Sequence, residues 1–169
     1  GKREIIARWN SYHGSTVGTM GLGGSMGRRR TFSPLFKENP KICAHYCYRC
    51  PLNLKYPSCD VACARTLEME ILRLGPETVA AFFAEPVVGS TVGGLHPPKE
   101  YWPIVREICT KYDVLLVADE VMCGMGRTGK AFCTQHWNVT PDIMCSAKAI
   151  AGGYAPVGAM IVKKEIAET

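Results

Sequence analysis

The sequence predicts an α/β domain built on a mostly parallel sheet flanked by helices. Three observations carry this. Strand-like apolar runs alternate with segments of helical periodicity, as βαβ units require. The run "VAAFFAEPVVG" at 79–89 is continuously apolar, the pattern of a strand buried on both faces. The chain has 169 residues, 47% hydrophobic and 21% charged, an ordinary globular balance for one domain with a core.

"REIIARW" at 3–9 is the first strand candidate. "ACARTLEMEILRL" at 62–74 sets Cys63, Leu67, Ile71 and Leu74 at helical spacing. Gly75-Pro76 ends it, because glycine accepts the left-handed C-terminal position and proline cannot continue a helix. After the apolar run at 79–89, "KEYWPIVREICTKYD" at 99–113 puts Tyr101, Val105, Ile108 and Tyr112 on one face, with Pro103 tolerable only in a first turn. Three further strands follow: "VLLVADE" at 114–120, "DIMCSAK" at 142–148 and "VGAMIV" at 157–162.

No apolar run approaches the length of a membrane span, and "GKREIIARWN" lacks the apolar centre of a signal peptide. The opening reads as a strand already under way and the close as a helix just beginning. The chain is therefore expected to be a piece of a longer protein, of cytoplasmic or, with its natural start absent, mitochondrial location. The net charge of +5 is uneven: basic side chains dominate residues 1–65, and acidic ones outnumber them afterwards. Arg28, Arg29 and Arg30 could grip nucleic acid, but a run of three beside glycine-rich sequence reads as a solvated loop. Nine cysteines without a secretory signal read as reduced thiols or metal ligands before disulfides.

The loop "CGMGRTGKAF" at 123–132 matches two phosphate-binding patterns and satisfies neither. A triphosphate loop needs Ser or Thr after Lys130 to hold magnesium, and that position is Ala131. A dinucleotide loop should follow its strand directly and open a helix, yet "DEVMC" intervenes with two carboxylates that would repel a pyrophosphate. Gly124, Gly126 and Gly129 are expected to serve a tight structural turn.

The residues flanking that loop carry more. Ligands of an open parallel sheet sit beyond the carboxyl ends of its strands, where Asp119 closes one strand and Lys148 another. An amine there can bond an aldehyde, and a nearby carboxylate can hold a protonated pyridine nitrogen, which is what pyridoxal phosphate chemistry requires. Spacing alone leaves open a salt bridge or two unrelated surface charges.

"VADEVMCGMGRTGK" and "PDIMCSAKAIAGGYAPVGAMIV", with "WNSYHGSTVG" and "FFAEPVVG" upstream, resemble the class III pyridoxal phosphate-dependent aminotransferases, the ornithine and 4-aminobutyrate aminotransferase family. The likeness runs from about residue 3 to 165, over motifs in the family's order, and implies the central part of a fold-type-I cofactor domain. It implies Lys148 as the Schiff-base lysine and Asp119 as partner of the pyridine nitrogen. Val121 would contact one ring face and Tyr12 the other, with His13 and Glu85 close by. It also implies amine or amino-acid donors, oxo-acid acceptors and a homodimer, with no nucleic-acid or membrane partner. The segment that binds the cofactor phosphate is expected upstream of residue 1, and the substrate-reading arginine downstream of residue 169.

Two positions depart from the family pattern. Met122 stands where many relatives have a Gln that hydrogen-bonds the cofactor's phenolic oxygen, a position aminomutase-like relatives also fill with Met. Ser90 stands where ornithine and 4-aminobutyrate enzymes often carry a glutamate, which points away from those two substrates. An aminomutase or racemase is thus the alternative within the family, while "GRTG" favours transfer. A zinc- or nucleic-acid-binding module is the alternative outside it. That module would rest on a Cys-rich insertion at about 41–65, where Cys47, Cys50, Cys59 and Cys63 offer two thiol pairs and Cys43 or His45 could substitute. The favoured reading of this stretch is no metal, with Tyr46, Tyr48 and Tyr56 packed among thiols. Cys109, Cys123, Cys133 and Cys145 show that the chain also uses cysteine as a small apolar residue. His96 and His136 read as ordinary loop or surface residues.

Overall fold

The computed structural model describes residues 1–169. Six strands form one sheet, β1 (Glu4–Arg8), β2 (Lys41–Ile42), β3 (Val79–Ala84), β4 (Leu115–Asp119), β5 (Ile143–Ala147) and β6 (Gly158–Val162), in the order β2-β1-β3-β4-β5-β6. The first five run parallel, and β6 returns antiparallel along β5. The apolar run at 79–89 is a strand only to Ala84. Beyond it Glu85-Pro86 turns the chain, and Val88 pairs instead with Leu95 across a loop.

Two helices, α3 (Ala62–Leu74) and α4 (Tyr101–Lys111), follow the short α1 (Val17–Leu22) and α2 (Met26–Arg29). Helix α3 buries Cys63, Ala64, Leu67 and Ile71 and stops at Gly75, whose φ of 90° suits glycine. Helix α4 carries Pro103 as its third residue, where a missing N–H costs nothing, and buries Tyr101, Trp102, Val105 and Ile108. These helices meet alternate strand residues Ile6, Phe82, Ala84 and Leu116 in one core cluster. Each large apolar side chain removed from water there contributes about 1.5–3 kcal/mol.

Arg8 closes β1 as a fully buried cation. Its guanidinium lies 5.7 Å from the ring centres of both Tyr101 and Trp102, donates to Nδ1 of His45 at 2.6 Å, and donates to the backbone oxygen of Glu85. His45 Nε2 in turn donates to the Leu95 oxygen at 3.3 Å. Both nitrogens of His45 are thus committed, which removes it from any metal shell. Burial first, and then the Arg8 charge, holds His45 well below the ordinary imidazole range.

The stretch 41–65 is irregular only between β2 and α3. Cys47, Cys50, Cys59 and Cys63 line a small, mostly apolar cavity with Tyr46 and Tyr56, but their ligand atoms do not gather closely enough to hold an ion. Tyr48 is 85% exposed, which corrects the expectation that it packs among the thiols. The arginine run is corrected too: Arg29 is buried and forks onto Glu38, and Arg28 lies 4.3 Å over the Tyr12 ring. No helix is long and apolar enough to cross a membrane.

Candidate active site

The site is assembled where β1, β3, β4 and β5 end side by side. After Arg8 the chain turns sharply: Ser11 Oγ donates to the Arg8 oxygen at 2.7 Å and accepts from the Gly24 amide at 3.1 Å. A Cβ on Gly24 would lie 2.3 Å from the Arg8 oxygen, so this approach needs glycine. The turn presents Tyr12, His13 and Gly14 above the sheet edge.

Glu85, buried just past β3, fixes that turn. Its Oε1 accepts the Tyr12 amide at 3.0 Å and its Oε2 the Gly89 amide at 3.1 Å. Placed in this way, His13 sets its ring edge-on against Phe83, with centroids 4.6 Å apart, and its Nδ1 lies 2.7 Å from Oδ2 of Asp119. The acceptor is a carboxylate, so Nδ1 carries the proton. The other carboxylate oxygen of Asp119 accepts the Val121 amide at 3.1 Å. The carboxylate of Asp119 is thereby held by two donors at the buried end of β4. His13 Nε2 is buried with no partner, a polar atom left open beside that carboxylate.

Asp119 pairs in register with Cys145 on β5, and Lys148 lies three residues beyond Cys145, so the two sit on neighbouring strands at the same sheet edge. Lys148 is exposed, forms no ion pair or hydrogen bond through its amine, and has a left-handed backbone with φ of 51°. That conformation costs a non-glycine residue about 1–2 kcal/mol, and such strain is concentrated at functional positions. The turn Lys148–Ala151 follows, ended by Gly152 at φ 59°.

The structure therefore brings Tyr12, His13, Glu85, Asp119 and Val121 together, with Lys148 on the adjoining strand end. Arg28 covers one face of the Tyr12 ring, and a cavity of about 420 Å³ opens beside it, lined by Ser11, Ser15, Met20, Arg28 and Phe32 among others. Met122 packs against Gly89, where an added Cβ would come within 3.0–3.1 Å of it. Ser90 is exposed, and its backbone oxygen faces Arg28 at 3.5 Å. His136 is exposed and bonds Thr128, while His96 lies in a loop.

The glycine loop is a turn, as its sequence implies. The Gly124 amide closes onto the Glu120 oxygen at 2.9 Å, Gly126 and Gly129 have φ of 85° and 88°, and no α-helix opens from the loop. Sequence reasoning passed over two residues here. Glu120 is buried and accepts the Cys133 and Thr134 amides at 2.9 and 2.8 Å, tying the far end of the loop back to β4. Arg8 was also passed over, although a charge inside "EIIARW" is itself a signal, since a buried cation needs dedicated partners.

The family model for class-III aminotransferases matches residues 1–169, and the chain belongs to that family. It is 42% identical over 167 residues to the putrescine–pyruvate aminotransferase of Pseudomonas aeruginosa, covering 99% of this chain and 36% of that protein. It is 41% identical over 173 residues to the taurine–pyruvate aminotransferase of Bilophila wadsworthia, covering 98% and 36%. It is also 42% identical over 170 residues to gamma aminobutyrate transaminase 2 of Solanum lycopersicum, covering 99% and 36%. An amine transaminase from an uncultivated Pseudomonas species, solved in its PLP-bound form, superposes with a TM-score of 0.93 at 37% identity, over 99% of this chain and 38% of that one. The chain thus spans little more than a third of the length of these relatives.

Proposed function

We propose that the protein to which this chain belongs transfers an amino group from an amine or amino acid to a 2-oxo acid, using pyridoxal phosphate held at the edge of β4 and β5. One observation carries the proposal: a buried, doubly held carboxylate, Asp119, and an uncommitted strand-end amine, Lys148, lie on adjacent parallel strands at their carboxyl ends. When bound, pyridoxal phosphate supplies an aldehyde for the amine and a protonated ring that draws electrons from the substrate carbon.

The residues present suit that group. Asp119 offers a fixed negative charge to the ring nitrogen, and His13 and the Val121 amide keep its oxygens oriented. Val121 would contact one ring face, and the face of Tyr12 not covered by Arg28 would serve the other. Lys148 would hold the group through its aldehyde, and its amine could serve as the base that moves a proton at the nitrogen-bearing carbon of the substrate. Glu85 acts at one remove, by fixing the turn that carries Tyr12 and His13. The relatives are named as aminotransferases, which favours transfer over the aminomutase or racemase alternative despite Met122. Two of them are named for pyruvate as acceptor, so pyruvate is the first acceptor to offer. Membership of the family also supports a homodimer as the working protein.

The test is formation of alanine by the full-length protein from pyruvate and a panel of putrescine, taurine and 4-aminobutyrate, with and without Lys148→Ala. Turnover should fall by orders of magnitude in the variant, because the bond to the cofactor and the proton-carrying base are lost together. Unaltered turnover in Lys148→Ala contradicts the assignment.

A further inference from the structure

The two cysteines that bracket the glycine loop lie close to each other, on the chain that leads out of β4 just past Asp119. Cys123 and Cys133 are buried, and their sulfurs lie with a carboxylate oxygen of Glu120 inside a group whose ligand atoms are all within 4.8 Å of one another. It is the one such group in the chain, and it does not lie in the Cys-rich stretch to which the sequence spacing points.

Three further features mark this cluster as more than apolar packing. The separation of Cys123 Sγ from Glu120 Oε2 is 3.3 Å. A tetrahedral zinc ion with bonds of about 2.3 Å to sulfur and about 2.0 Å to oxygen sets two such ligand atoms about 3.5 Å apart, so this edge is already near metal-binding length. Glu120 is 1% exposed and forms no ion pair with Lys, Arg or His, so its charge is met only by two amides and a thiol. The hydroxyl of Thr134, next to Cys133, is buried without any partner, which leaves one more oxygen in the same turn uncommitted. Buried polar atoms of this kind call for an explanation, and an ion is one.

We propose that Glu120, Cys123 and Cys133 form a structural site for one thiophilic divalent cation, zinc by its match to this donor set, which pins both ends of the glycine loop to β4. Binding replaces two S–H protons by the cation: both thiols release their protons to solvent, and the two thiolates and the carboxylate bind the ion. None of the three ligands is a residue assigned to the cofactor, although Glu120 adjoins Asp119 and the Cys123 sulfur lies 3.8 Å from the Asp119 backbone oxygen, and the existence of the site does not depend on the amino-transfer reading.

The test is elemental analysis of the full-length protein, purified without a histidine tag or chelator from zinc-supplemented medium. The wild type should carry about one zinc per chain. Cys123→Ala and Cys133→Ala should each fall to trace, and a Cys47→Ala, Cys50→Ala double variant should keep its metal. Should a variant fail to fold, the wild type alone still decides: after chelation, cobalt should produce a near-ultraviolet thiolate-to-metal band that zinc then displaces. A metal-free wild type that gives no cobalt band overturns the proposal. So does metal retained in both single variants, or an intact mass lighter by two hydrogens with Cys123 and Cys133 in one cross-linked peptide.

Discussion

Replacing His13 with leucine separates the packing of its ring from the hydrogen bond it makes. The His13 side chain is fully buried and that of Asp119 is 7% exposed, with 2.7 Å between Nδ1 and Oδ2. Leucine keeps an apolar contact to Phe83 but leaves one oxygen of a buried carboxylate without its donor. Such an orphaned acceptor costs about 1–3 kcal/mol. If that loss falls on the hold of Asp119 on the ring nitrogen, kcat/KM drops about 5- to 150-fold, at about 1.4 kcal/mol per factor of ten. His13→Asn, whose amide N–H can take the place of Nδ1–H, should recover most of it. The assay is steady-state transamination at limiting and saturating pyridoxal phosphate, with thermal unfolding run in parallel. A leucine variant that melts lower yet keeps wild-type kcat/KM would show that His13 merely packs. An asparagine variant as impaired as leucine, with its fold intact, would show that the hydrogen bond is not what matters.

Two further expectations concern the frame around the site. Glu85→Gln turns an amide nitrogen toward one of two backbone N–H groups that now bond carboxylate oxygens, and should lower stability by about 1–3 kcal/mol while loosening the Tyr12–His13 turn, read as a lower urea midpoint together with weaker cofactor binding. An unchanged midpoint would show that Glu85 does not hold that turn. His45 is kept neutral in the fold by burial and the Arg8 charge, whereas in the unfolded chain it titrates near about pH 6.5. Below that value the unfolded state binds the extra proton, so stability should be full above about pH 6.5 and decline as the pH falls toward the lower folded-state value. The slope should be absent in His45→Gln, and a variant with the same acid slope as the wild type would remove His45 as its cause.

Helices α3 and α4 and the strand cores were legible because their apolar spacing is regular and their ends carry Gly75 and an early Pro103. The direction of β6 was not, since an apolar run says nothing of whether it returns parallel or antiparallel. Helices α1 and α2 lie in "TVGTMGLGGSMGRR", too glycine-rich for a periodic signal, and are fixed by contacts made elsewhere in the chain. β3 ends early because Pro86 cannot donate into a ladder. Asp119 and Lys148 could be read as ionisable strand ends, and the family motif gave them roles. The contact between His13 and Asp119 spans 106 positions, and no local pattern encodes it. The commitment of both His45 nitrogens was illegible for the same reason, since Arg8 and Leu95 come from distant segments, and the burial of Arg29 rests on Glu38, nine residues on, across an irregular stretch with no periodic pattern.

Lys148 is proposed as the lysine that bonds pyridoxal phosphate. Borohydride reduction of the full-length protein with its cofactor, followed by digestion and mass mapping, tests it most directly. One phosphopyridoxyl group on Nζ of Lys148 and loss of the visible absorbance on reduction are expected. A label fixed at another lysine, or spread over exposed ones such as Lys130 and Lys164, would contradict it.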